Sequence, residues 1–255
     1  MVRYTVDIEE LFFLCIYSGA EVLFGLNNPL EGLERQKAEV KWDGISKQLK
    51  EKQILIPTNE EHQLYITQDY AAFVEVLSFP EHVFTCLVEA DDVATAKLVF
   101  YRAESLVFLK EQEGKCEIQY CSWEEGIPQL RRQLLLSECG TEAELYLPTD
   151  EANYALSLAG AGERGLAELL LQKNGVERGI AAEIIDAFGN GADTQVIAGF
   201  DLGLDSGMIG EALYTCVKSN EGTWMLEMRP EQEQVFLFKR KMEAVLDHLF
   251  HSRLG

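Results

Sequence analysis

Apolar residues in this chain of 255 residues change from a helical spacing to a spacing of two, and the change occurs twice. Residues 6–79 and 150–188 carry apolar side chains three and four positions apart, which is typical of amphipathic helices. Residues 82–122 and 194–228 contain alternating or short apolar runs, which predict strands joined by turns. Runs of helices followed by runs of strands predict an α+β fold with a mixed, mainly antiparallel sheet.

The first half predicts a helical lobe followed by a meander. Helices are expected over about 6–25, 40–52 and 68–79, with Asp7 as the N-cap of the first and a short hairpin in "ILIPTNEEHQLYIT" before the third. Helix, helix, hairpin, helix is the order of a winged-helix module. Four strands and a helix from Trp123 to Leu136 follow. We expect residues 1–140 to form this N-terminal lobe and its meander.

The second half repeats that plan. A strand at "AELYLP" and the N-cap candidate Asp150 precede helices over about 150–159, 163–173 and 177–188. Three strands follow, and "SNEG" predicts a tight turn between the last two. A long helix from Pro230 to about His251 is expected to close the chain. We therefore expect residues 141–255 to form a C-terminal helical lobe, a three-stranded meander and a terminal helix, in one compact body with the first half.

The charge of the chain limits the partners it can attract. There are 43 acidic and 22 basic residues, which give a net charge of −21. Such a field repels phosphate backbones and anionic lipid surfaces and favours neutral or basic partners. No apolar run approaches the roughly 18–20 residues that a membrane span needs, and "MVRYTVDIEE" does not resemble a signal peptide. We expect a cytoplasmic protein with no membrane insertion.

Residues that could carry catalysis or hold a metal are scattered. The six cysteines form no C-x-x-C pair, and most lie in apolar stretches such as "FFLCIY" and "LYTCVK", as buried reduced cysteines do. The four histidines are distant from them in sequence, and His248 is expected to face the dipole of a terminal helix. There is no G-x-S-x-G, H-E-x-x-H or G-K-[ST] motif. We expect no catalytic residue, no metal site and no cofactor.

One glycine run has the spacing of a dinucleotide-binding loop. "SLAGAGERGLAELL" places Gly160, Gly162 and Gly165 in the order G-x-G-x-x-G before a helix. A dinucleotide site needs a buried strand before such glycines, and "DEANYALSLA" has the composition of a helix instead. We interpret the run as a turn between two helices, with Gly160 ending one helix and Gly165 allowing close packing.

The loop "GFDLGLDSGMIG" is the best candidate for a binding surface. It joins two predicted strands and contains five apolar residues besides its glycines and two aspartates. The two aspartates do not have the spacing of a calcium-binding loop. Connections usually run over the surface, so the alternatives are apolar groups folded back onto the helices or an exposed loop ready for a partner. The partner-binding candidates are Phe200, Leu202, Leu204, Met208 and Ile209.

Three stretches of the sequence carry a resemblance to a known family. The first is the opening "VDIEELFFLCIYSGAEVLFGL", and the second is "WDGISKQLKEKQILIPTNEEHQLYIT", where a leucine-bearing helix meets a short hairpin. The third is "LYTCVKSNEGTWMLEMRPEQEQVFLFKRKMEAVLDHLF", a hairpin with a tryptophan on its second strand and then a proline-started helix. The stretches cover both ends of the chain, and together they resemble the EspG-like chaperones associated with ESX, or type VII, secretion systems.

The resemblance implies a central sheet flanked by two helical lobes in a pseudo-twofold arrangement. It also implies a bacterial, cytoplasmic, non-catalytic chaperone that binds helical secretion substrates through an apolar surface, keeps them soluble and releases them to the export machinery. The sequence leaves open whether the protein forms a homodimer.

A winged-helix transcription regulator with a C-terminal sensing domain is the alternative function. The order of elements in residues 1–80 favours it. Those residues contain seven basic and thirteen acidic side chains, a net charge of −6, and DNA-binding modules normally carry a basic surface. We therefore expect no nucleic-acid partner.

Overall fold

The computed structural model describes residues 1–58, 64–90, 93–190, 194–202, 208–229 and 232–250; at 87–90, 93–96, 190 and 208–209 it describes the backbone only. The elements are helices together with antiparallel strands, so the predicted α+β class is confirmed. None of the helices in these ranges is long and apolar enough to cross a membrane.

The first half contains one strand, three helices, four strands and one helix. A short hairpin also lies between the second and third helices. In chain order the elements are β1 (Val2–Asp7), α1 (Ile8–Tyr17), α2 (Arg35–Glu51), β2 (Leu55–Pro57), β3 (Leu64–Ile66), α3 (Gln68–Ser78), β4 (His82–Ala90), β5 (Val93–Arg102), β6 (Ser105–Gln112), β7 (Lys115–Ser122) and α4 (Trp123–Gln133).

The second half has the same order without the small hairpin. Its elements are β8 (Ala143–Pro148), α5 (Thr149–Gly160), α6 (Arg164–Lys173), α7 (Arg178–Asn190), β9 (Thr194–Leu202), β10 (Met208–Ser219), β11 (Gly222–Met228), β12 (Gln234–Lys239) and α8 (Met242–Phe250). In both halves the opening strand pairs antiparallel with the last strand of the meander, β1 with β7 and β8 with β12. The repeat of architecture therefore extends to the strand pairing.

The chain divides into two compact units. The first contains residues 1–83, 90–126 and 202–209, and the second contains residues 84–89, 127–201 and 210–255. The division into 1–140 and 141–255, and the pseudo-twofold arrangement of two lobes, stay predictions.

The first unit is organised around an antiparallel sheet in the order β1-β7-β6-β5. Helices α1, α2 and α3 bury apolar side chains such as Leu11, Leu49 and Phe73 against inward residues of that sheet, such as Val107 and Ile118. Burying a side chain of this size contributes about 1.5–3 kcal/mol. The helical spacing in the sequence is explained by this shared core.

The second unit has strands in the order β4-β9-β10-β11-β12-β8. Ala155 and Ala167 allow α5 and α6 to approach closely, and Ile184 of α7 lies in the same core as Trp224 and Leu237 of the sheet. The turn between β10 and β11 pairs Ser219 with Gly222, so the two-residue turn predicted from "SNEG" is confirmed.

The predicted terminal helix from Pro230 to His251 is wrong at its start. Residues 234–239 form the strand β12, and among the residues described after it 242–250 are helical. Val235, Phe236, Leu237 and Phe238 are all buried, because both faces of this strand are covered. A strand buried on both faces reads as a continuous apolar run, which periodicity alone cannot distinguish from a helix.

The predicted first helix also differs, because β1 occupies residues 2–7 and α1 ends at Tyr17. Asp7 is the N-cap residue, as expected, but its carboxylate makes no capping hydrogen bond and lies 3.5 Å from the Lys52 ammonium. Asp150 lies inside the first turn of α5, whose N-cap position is Pro148.

The glycine run lies between two helices. Gly160 is the last residue of α5 and Gly162 has a φ of +84°, so the segment is the predicted turn and follows a helix, whereas a dinucleotide loop follows a strand. The packing role expected for Gly165 is wrong, because a Cβ at that position would have no atom within 4 Å.

Candidate partner-binding surface

Different helices pack on the two faces of the sheet in the second unit. Gly199 of β9 points toward Phe84 and Tyr214, since a Cβ there would lie 2.9 Å and 3.1 Å from their rings. Phe84 in turn packs on Phe250 of α8, with ring centroids 4.7 Å apart. Val217 of β10 instead belongs to the core formed with α5–α7. Side chains alternate along a strand, so α8 covers one face and α5–α7 cover the other.

Part of the α5–α7 face remains open to solvent on β9 and β10. Val196, Ala198 and Phe200 alternate with Gly199 and therefore lie on this face, as do Leu213 and Thr215, which alternate with Tyr214. The side chains of Val196 and Leu213 are 37% and 38% exposed, and the other three are half-buried. We call these five residues the β9–β10 strip.

The residues predicted from the apolar loop are separated in the structure. Phe200 lies in the strip and is half-buried. Leu202 is 5% exposed and packs in the core of the first unit, so for this residue the folded-back alternative applies. Leu204 lies outside the described residues, and Met208 and Ile209 begin β10 with their side chains outside the description. The prediction of a binding role is untested for all five.

Sequence reasoning missed Val196 and Leu213, which are the most exposed residues of the strip. The signal was present in "TQVIAGF" and "GEALYTC", where an apolar residue stands on the side of the alternation that is usually polar at a surface. An apolar residue at such a position indicates either cover by another element or a surface for a partner.

A cleft of about 910 Å³ lies on the same side of the second unit, between α7 and the β10–β11 turn. The Glu183 carboxylate accepts hydrogen bonds from Ser219 Oγ at 3.2 Å, Trp224 Nε1 at 3.0 Å and Lys239 Nζ at 2.7 Å. Lys239 is 2% exposed. A buried charge is stable only when it is paired, and Glu183 is the partner of Lys239. The three bonds therefore hold α7 on the sheet.

Three of the buried cysteine thiols are held in the protonated form. Burial is the main cause that raises the pKa of the Cys15 and Cys116 thiols to about 12 and that of Cys121 to about 11. A nucleophilic cysteine needs a lowered pKa instead. Within the ranges that the model describes, no three His, Cys, Asp or Glu side chains are grouped so that they could hold a metal ion.

His248 binds a specific carboxylate, whereas the sequence predicted only an interaction with a helix dipole. Its Nε2 lies 2.7 Å from an oxygen of Glu227 on β11, and Arg229 Nε lies 2.7 Å from the other oxygen. Glu227 is buried, so this pair anchors α8 on the sheet.

Helix α2, the recognition helix that a winged-helix regulator would use, carries mixed charge. Lys47 and Lys50 are exposed, but so are Asp43 and Glu51, and the Lys47 ammonium lies 3.9 Å from the Glu51 carboxylate. A helix that binds the phosphate backbone needs an excess of basic side chains. The structure therefore gives the regulator no support.

Comparisons with known proteins agree with the fold. No family model and no curated protein matches the sequence. Among solved structures, the chain is similar to that of the Mycobacterium tuberculosis type VII secretion system chaperone EspG5 in complex with the PE25–PPE41 dimer. The TM-score is 0.56 with 12% sequence identity, and the match covers 98% of this chain and 98% of that chain. The protein therefore has an EspG-like fold along nearly its whole length.

Proposed function

We propose that this protein is a non-catalytic, cytoplasmic chaperone that binds a helical substrate of a type VII secretion system. The observation that carries the proposal is the match over 98% of both chains to a chaperone of such a system. The match includes both compact units, so the likeness extends well beyond a common small motif.

The β9–β10 strip is the surface that we assign to the substrate. It offers adjacent apolar side chains on a sheet face, with Val196 and Leu213 more than one third exposed. An apolar helical end could bury these groups and gain about 25 cal/mol for each Å² of apolar surface removed from water. Because the strip lies on regular strands, its shape is fixed before the substrate binds, and this reduces the entropy lost on binding.

The partner is expected to be neutral or basic around its apolar end. The net charge of −21 repels acidic surfaces, and Glu211 lies two residues before Leu213 on the same face of β10. The similar chaperone is in complex with a protein dimer, PE25–PPE41. We propose a helical protein as the partner here also.

The test is recovery of the partner with a variant of the strip. Tagged protein would be isolated from its native cell, and the bound protein identified and then produced pure for binding measurements. The double substitution Val196→Glu/Leu213→Glu places two charges in the strip, so the affinity for the purified partner is expected to fall at least about a hundredfold, since each buried unpaired charge costs several kcal/mol.

The matched control is Val40→Glu, which introduces the same kind of charge at a valine that is 73% exposed on α2. This variant is expected to bind like the parent. All variants are compared by circular dichroism at the temperature of the binding measurement. Equal affinity for the strip variant and the parent, or a partner without helical structure, would contradict the proposal.

A further inference from the structure

The strand β1 is an open edge of the first sheet. Among the described residues it pairs on one side only, with β7, in the register that places Val6 opposite Cys116 and Tyr4 opposite Ile118. An open edge presents unused backbone donors and acceptors that can pair with another strand.

The register shows which backbone groups of β1 point outward. The Ile8 N–H donates to the carbonyl of Gly114 at 3.1 Å, in line with the pairing of Asp7 with Lys115. Hydrogen-bonded pairs alternate along an antiparallel ladder, so the even-numbered residues bond to β7. The N–H and C=O groups of Arg3 and Thr5 and the N–H of Asp7 therefore face the open edge, whereas the C=O of Asp7, the N-cap residue, serves the first turn of α1.

The edge at β1 lacks the protection seen at β8, which is the edge strand in the second unit. The Thr149 N–H donates to the carbonyl of Glu233, so the even-numbered residues of β8 point outward, and one of them is Pro148, which has no N–H. Proline is a common device for blocking an edge. The sequence of β1 is "VRYTVD", which contains no proline and two valines and a threonine that favour strands.

The side chains of β1 complement a second copy of the same strand. If two copies run antiparallel with Thr5 opposite Thr5, Arg3 of each lies opposite Asp7 of the other. Arg3 is exposed and forms no ion pair with any described residue. On the other face Tyr4 lies opposite Val6. Opposite charges, paired threonines and an aromatic beside a β-branched residue are each favourable cross-strand pairs.

We propose that two copies of this protein associate through β1, in a twofold antiparallel pairing centred on Thr5. The pairing extends the sheet of each copy across the contact, and it uses the same residues on both sides, as a twofold interface requires. The outward groups of Arg3, Thr5 and Asp7 supply the backbone hydrogen bonds, and the Arg3–Asp7 pairs fix the register.

Disulfide trapping tests the register directly. In the proposed pairing the two Thr5 Cα atoms lie about 5.5 Å apart, within the range that a disulfide bridges. Thr5→Cys is therefore expected to give a covalent dimer on mild oxidation. The matched control is Arg3→Cys, whose two copies lie four residues out of register, about 14 Å apart along the strands, and which is expected to stay monomeric on a denaturing gel.

Sedimentation velocity tests the contact without a cross-link. The parent is expected to form a dimer at micromolar concentrations. Thr5→Pro removes an outward N–H and leaves the bonds to β7 intact, so it is expected to weaken the dimer at least tenfold. A parent that stays monomeric, a proline variant that dimerises like the parent, or equal cross-linking of the two cysteine variants would each overturn the proposal.

Discussion

At position 202 a charged side chain is expected to destabilise the protein strongly. Leu202 is 5% exposed, and its neighbours in the first core include Leu98 and Phe100. Leu202→Asp loses the leucine contacts and buries a carboxylate without a partner, so we expect the free energy of unfolding to fall by about 3–5 kcal/mol. Urea unfolding followed by tryptophan fluorescence measures the loss.

The control for that substitution is Val40→Asp, because Val40 is 73% exposed on α2. An exposed substitution normally changes the free energy of unfolding by about 0.5 kcal/mol or less. A loss below about 1 kcal/mol for Leu202→Asp would show that residue 202 is accessible in the folded protein.

The strip shows how far single residues could be predicted. Phe200 is predicted because it begins an apolar loop, whereas Leu213 and Thr215 of the strip lie on the following strand. Their proximity depends on β9 lying beside β10, which the residue pattern suggests but does not determine. A residue can bind a partner only if its side chain is exposed. A sequence pattern cannot distinguish an exposed apolar residue from a covered one.

At the scale of elements, the sequence predicts the strands of the first meander, but it does not predict β1 or β12, the strands near the two ends of the chain. The four strands from β4 to β7 appear as expected from residues 82–122. β12 was predicted as a helix because cover on both faces removes its alternation. β1 does alternate, with Val2, Tyr4 and Val6 on one face, but the sequence predicts no element over residues 2–5 and a helix that begins at about residue 6.

The anchor of α8 predicts a change of stability with pH. Burial raises the pKa of Glu227, but hydrogen bonds from His248 and Arg229 outweigh it, so the net pKa of the carboxyl is lowered. A lowered pKa in the folded state contributes stability that is present above the unfolded pKa, about 4.3, and is lost as pH falls through the folded pKa. Glu227→Gln removes this contribution. The difference in free energy of unfolding between parent and variant should therefore shrink between about pH 5 and pH 3.

Urea titrations at several pH values would measure this difference. Glu233→Gln is the control, since Glu233 is an exposed glutamate in the segment just before β12 and its substitution should give a difference that does not change with pH. A difference for Glu227→Gln that stays constant, or that grows as the pH falls, would show that the pair with His248 does not stabilise the ionised carboxylate.

For the whole molecule, the strongest constraint that comes from the sequence is the charge. The repeat of strand, helices, four strands and helix gives each unit a core of its own, but the chain as a whole carries 43 acids and 22 bases. Several local ion pairs exist, such as Lys52 with Glu10 at 2.7 Å. They cannot balance the excess of 21 negative charges, so the folded state carries a net self-repulsion that the expanded chain partly relieves.

Salt is therefore expected to stabilise the folded protein. The screening length shortens from about 30 Å at 0.01 M to about 8 Å at 0.15 M ionic strength, so long-range repulsion is largely removed while the short buried pairs are little affected. We expect the melting temperature at pH 7 to rise by several degrees as sodium chloride is added over this range. The same titration near the isoelectric point, about pH 4.5, is the control, because the net charge there is close to zero. A melting temperature that falls with salt at pH 7, or an equal rise at both pH values, would mean that the excess of carboxylates is already balanced by local pairing.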